Sequence, residues 1–136
     1  MNAQAVIAHQ LQGVMLHHDL MLSFAVLGKR GKAMKHRRHM YCEMKNLDKT
    51  NFAVIQQTGK IVDHGALVRV KLPEVTATMT DEQKKAACRS LMDAWRQWEQ
   101  STVDLYQREL TTDAQNQWLK YLMDSAESEL KHIPLS

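Results

Sequence analysis

Two glutamates stand alone on otherwise apolar helical stripes, and they are where the chemistry of this chain begins. Glu43 shares a face with Met40, Leu47, Thr50 and Val54, which follow one another at steps of three and four. Glu99 sits in the same way among Cys88, Met92, Trp95, Val103, Tyr106 and Leu110. A carboxylate turned into a helix bundle needs a partner, because burying the unpaired ion is strongly unfavourable. Histidines are placed to supply one. His36, His39 and Glu43 are spaced by three and four, and His17 falls with Gln10 on a stripe with Ile7, Val14, Met21 and Phe24. Imidazole and carboxylate together can hold zinc or iron. Glu129-x-x-His132 is a second ligand pair of this kind. The competing reading has the histidines solvated or capping the core, since His36 and His39 lie in the basic run from Lys29 to Arg38.

The elements that must position these groups are helical. The periodicity predicts a first helix over about 3–27 and a second over about 33–58, joined by the short loop GKRGK, so that the two are antiparallel neighbours. Gly59 is a natural left-handed stop. Residues 59–79 show no helical period, and Leu67 to Leu72 alternates like a short extended segment. Thr80 with Gln83 forms a capping box and opens a third helix to about residue 110. Thr112 with Gln115 predicts a second box and a fourth helix over about 113–132, with Trp118, Tyr121, Leu122, Ser125 and Ala126 inward and Pro134 as its stop. A 26-residue helix is roughly 40 Å long, and twenty extended residues reach roughly 65 Å. The long connection can therefore cross the whole bundle and start the third helix parallel to the second. The expected fold is an all-α, ferritin-like four-helix bundle, a single domain over 1–136 with one long crossover.

Composition narrows the function classes. The 136 residues suffice for one domain with a real core. No run approaches a membrane span, and no basic segment precedes the first apolar residues as in a signal peptide. Cys42 and Cys88 fall inside helices and read as reduced thiols of a cytoplasmic protein. The net charge of +3 is too small to argue for nucleic acid, and the nine methionines read as core filling.

The second helix resembles that of bacterioferritins and bacterial ferritins. Glu43-Met44-Lys45-Asn46-Leu47-Asp48-Lys49 is similar to the bacterioferritin run E-M-K-H-A-D-K. Arg37-Arg38-His39 and Thr58-Gly59 resemble the same places in bacterial ferritins, and Trp98-Glu99-Gln100 resembles H-E-Q of their third helix. The resemblance implies a di-iron ferroxidase centre built from inward Glu and Glu-x-x-His groups. Most of its ligands are replaced here. Gln10 stands for the first Glu and Asn46 for the His of the second helix, while Ser125 and Ser128 occupy the fourth helix's positions. Only Glu43 and Glu99 survive, and an amide or hydroxyl is a poor iron ligand.

The resemblance thus predicts a degenerate centre in a non-catalytic or structural subunit that forms a homodimer or co-assembles with a ferritin-type partner. Amides of Gln10 and Asn46 would then hydrogen-bond Glu43 in place of the metal. The alternative is an iron-binding or storage protein, or a ferroxidase, with a relocated site of Glu43, Glu99, Glu129 and His132. A third implication concerns Met44, which occupies the place of the bacterioferritin haem ligand. It would leave the core, turned about 100° from Glu43, and meet haem at a dimer interface.

Overall fold

The computed structural model describes residues 1–134. They form four helices and, among the described residues, no strand: α1 (Ala3–Val26), α2 (Arg30–Thr58), α3 (Asp81–Thr112) and α4 (Gln117–His132). The arrangement is consistent with a four-helix bundle. α1 packs most extensively on α2, and α3 on α4.

Each helix ends where local chemistry ends it. The Asn2 side chain accepts from Ala5 N at 3.1 Å and opens α1. Gly28, at φ 73°, turns the chain, so α2 begins at Arg30, three residues before the expected start, and lies antiparallel to α1. Gly59, at φ 69°, closes α2 in the left-handed conformation. Thr80 and Gln83 form the reciprocal capping box, at 3.2 and 2.9 Å.

The fourth helix corrects the sequence expectation. Thr112 ends α3 instead of opening α4, and Asp113 to Asn116 form a turn. Asn116 is the cap, accepting from Leu119 N at 3.0 Å, so α4 starts at Gln117. Tyr121, expected inward, is 55% exposed and stacks on Trp118 instead.

The connection 59–80 lies against α1. Gln12 Nε2 donates to Val68 O at 2.9 Å, and further along Arg69 pairs with Asp19 at 2.6 Å. Val70 and Leu72 then turn inward while Arg69 and Lys71 stay exposed, so the predicted alternation survives as burial without a strand partner.

The core is in two parts. One holds Leu16, Leu20, Phe24, Leu91, Trp95 and Ile133, among others. The other holds Val6, Val103, Tyr106, Leu119 and Leu122. Between them, on every helix, lies a layer of polar groups: Gln10 and His17 on α1, Glu43 on α2, Glu99 and Thr102 on α3, Glu129 on α4. Gly13 lets α1 approach this layer. A Cβ there would sit 2.4 Å from Trp98 Cη2, a hard overlap with a buried ring.

Gly13→Ala is therefore expected to destabilise the fold by about 1–3 kcal/mol, through overpacking. Gly31→Ala, where the added methyl meets open space within a helix, is expected to be neutral or mildly stabilising. Denaturant midpoints at equal slope would read both.

Candidate metal centre

The polar layer gathers carboxyls and imidazoles from all four helices. His17 on α1, Glu43 on α2 and Glu99 on α3 each offer a ligand atom, and those atoms lie within 4.8 Å of one another. His17 and Glu99 are buried and Glu43 is partly so. Glu129 of α4 stands beside them within hydrogen-bonding contact of Glu99, and His39 Nδ1 donates to its Oε1 at 3.2 Å. His36 Nδ1 is 3.0 Å from His17 Nδ1. Among the described residues, no lysine or arginine pairs with Glu43, Glu99 or Glu129.

Aromatic rings hold the layer rigid. His17 stacks on His36 and His39, with centroids 5.2 and 5.1 Å apart. His36 stacks on Phe24 at 5.4 Å and meets the edge of Trp95 at 4.6 Å. On the far side His9 stacks on Trp98 at 4.7 Å and bonds Thr102 Oγ1 at 2.6 Å. Several groups inside this frame lack a partner: both amide atoms of Gln10, His17 Nε2 and Glu99 Oε1. Groups left this way in a folded interior call for an explanation.

Burial sets the protonation states. It pushes Glu43 up to about 8, and the charge of Glu129 adds to the rise. Burial, followed by the hydrogen bond and charge of Glu129, holds Glu99 far above the usual carboxylate range. Glu129 goes the other way. Burial raises it, but hydrogen bonds from His39 and Glu99 outweigh that and hold it well below. The Glu99–Glu129 pair thus shares one proton, resident on Glu99. Burial first, and then the neighbouring histidines, lower His17 to about 3 and His36 to about 2, so both rings are neutral at physiological pH. Burial also pushes the Tyr106 phenol up.

Two cavities meet at Glu129. The inner one has about 10 Å³ of free volume, room for about one small ion or water, and is lined by Glu43, Asn46, Glu99, Tyr106, Ser125 and Glu129. The outer one, about 210 Å³, lies among Lys35, His39, Trp95, Ser128, Glu129 and His132.

The sequence-derived residues separate as follows. Glu43, Glu99 and Glu129 come together, and His17, His36 and His39 surround them. His132 does not join, because its Nδ1 donates to its own helix at Ser128 O, 2.6 Å away, and the ring is exposed. The turn at 113–116 takes residues expected in α4, and the carboxylate facing Glu99 comes from Glu129, one turn beyond Ser125. The expected amide bond from Gln10 to Glu43 is absent, and the Gln10 amide lies against the Tyr106 hydroxyl. Met44 is 42% exposed, on the outer side of α2. Tyr106 and Trp95 line the centre's cavities without having been singled out. Their places at i+7 and i−4 from Glu99 on the same stripe are the signal that marks them.

No family model, no curated protein and no solved structure matches the chain.

The metal-free protein should lose stability as pH rises. Glu43 and Glu99 have folded values above their unfolded ones, so the folded state holds their protons longer. Their contribution is complete below about 4.5 and is lost as pH climbs, for Glu43 through about 8. Thermal midpoints of chelator-treated protein should fall between pH 6.5 and 8.5, and Glu43→Gln should flatten that fall. An unchanged slope in the variant would count against these protonation states.

Proposed function

We propose that this chain is a metal-binding protein of ferritin-like type, in which the site has moved along the bundle. His17, Glu43 and Glu99 are the ligands and Glu129 stands beside them. The observation that carries this reading is the convergence of three ligand atoms within 4.8 Å in an interior where, among the described residues, no lysine or arginine pairs with the carboxyls. His17, Glu43 and Glu99 would hold a divalent cation once the two acids give up their protons, and its charge would balance theirs; His17 Nε2 and Glu99 Oε1 are the atoms left without a partner for it. Two carboxylates and an imidazole suit Fe(II), and Zn(II) is the principal competitor.

The donor set fits such an ion. It also accounts for the absent family ligands: Gln10, Asn46, Ser125 and Ser128 hold the old positions, while His17 and Glu129 supply replacements. In this reading residues 59–80 are the long crossover, and α3 runs parallel to α2.

The same proposal assigns the outer face of α2 to a second copy of the chain. Met34, Tyr41, Met44, Phe52 and Ile55 are each 36–66% exposed and lie along one side of the helix, a stripe roughly 30 Å long at 1.5 Å per residue. Exposed apolar side chains along one helix face support an interface there.

Purified chain dialysed against Fe(II) without oxygen, or against Zn(II), should retain at least one ion per chain by mass spectrometry of the metal. Affinity should rise with pH up to about 8, as Glu43 gives up its proton. Glu43→Gln and Glu99→Gln should each lower affinity by tenfold or more. Retention of metal unchanged in both variants would end this assignment. Sedimentation of the same sample should show a dimer, and Phe52→Lys should shift it toward monomer.

A further inference from the structure

Two imidazole rings of the centre meet nitrogen to nitrogen. His17 Nδ1 and His36 Nδ1 are 3.0 Å apart, and the residues are 0% and 1% exposed. Two nitrogen lone pairs do not face each other at that distance in a water-free interior, so a proton lies between them. A neutral imidazole carries one N–H. If His36 supplies the proton, His17 holds its own on Nε2 and cannot bind a metal there. If His17 supplies it, Nε2 is a bare lone pair. That Nε2 is the buried nitrogen without a partner, on the ring whose ligand atom lies within 4.8 Å of those of Glu43 and Glu99.

We propose that His36 is the positioning residue of the centre: it accepts the Nδ1–H of His17 and so presents the Nε2 lone pair to the metal. This rests on the metal-binding reading above and adds the device that makes His17 a ligand. A metal-bound histidine commonly gives its second N–H to a carboxylate or a carbonyl, which fixes the tautomer. Here the acceptor is another imidazole. His36 cannot swing away, because Phe24 lies flat against it at 5.4 Å and Trp95 closes its edge at 4.6 Å. A neutral acceptor orients His17 without adding charge, so the negative charge offered to the ion comes from the carboxylates alone. Ion capture draws the proton of the pair onto His17 Nδ1, and His36 keeps its own on Nε2.

The test uses the full chain with cobalt(II) and zinc(II). Competition against a chromophoric chelator gives the cobalt affinity of the wild type, His36→Leu and His36→Gln. His36→Leu should bind 10–100-fold more weakly, with the same stoichiometry at saturating metal. His36→Gln, whose amide oxygen can accept from His17, should recover most of the loss. In the zinc-loaded wild type, nitrogen-15 NMR should show His17 bound through Nε2, its Nδ1 protonated, and a scalar coupling across the N–H···N bond to His36. Wild-type affinity in His36→Leu, failure of His36→Gln to recover it, or His17 bound through Nδ1 would overturn the proposal. The NMR result decides the matter if His36→Leu does not fold. Absence of any cobalt binding by the wild type would overturn the metal-binding reading, and this one with it.

Discussion

Carboxyl groups enter the interior of this bundle from α2, α3 and α4, and among the described residues no lysine or arginine pairs with them. An ionised carboxylate without a counter-charge is not tolerated in a low-dielectric interior. It takes up a proton, shares one, or binds a cation. Without metal the chain uses the first two means: Glu43 and Glu99 hold protons, and Glu99 shares with Glu129. His17 and His36 cannot supply the missing charge, because burial keeps both neutral, and the one histidine bonded to these carboxyls is His39, on Glu129. Neutral rings and protonated acids are the state in which such a site waits for an ion, since both become good ligands once protons leave the acids.

The rest of the architecture follows from having that layer in the middle of the molecule. It divides the apolar core into two clusters, each of which must be complete on its own side. Trp95 and Trp98 wall the layer from above, Tyr106 from below, and the absence of a side chain at Gly13 makes room for Trp98. The outcome is a rigid socket whose polar contents destabilise the empty fold. On the proposed metal-binding reading, an ion held only by the folded chain would restore stability by about 2.7 kcal/mol at a hundredfold excess over Kd.

Much of this is written in the periodicity. The stripes that contain Glu43 and Glu99 place both groups inward, Gly59 and the Thr80–Gln83 box mark helix ends where they occur, and His17 lies on the inner face of α1. What periodicity does not carry is which groups meet across helices. The basic run around His36 and His39 reads as solvated, yet His36 within it faces Phe24 and Trp95 and is buried. In α4 both Ser125 and Glu129 can face inward, four residues apart, and only the packing against α3 brings Glu129 to Glu99. The start of α4 is misjudged because Thr112–Gln115 has the letters of a capping box while Asn116 makes the bond. The fate of Gln10 is likewise tertiary. An amide suited to holding Glu43 is sealed in the core beside the Tyr106 hydroxyl instead.

The account turns on the position of an ion, and diffraction from metal-loaded crystals at the metal's absorption edge locates it most directly. The account predicts an anomalous peak inside the polar layer, at roughly 2.0–2.2 Å from His17 Nε2 and from oxygens of Glu43 and Glu99. A layer with no peak, its carboxyls hydrogen-bonded to one another while metal decorates only surface histidines, would contradict it.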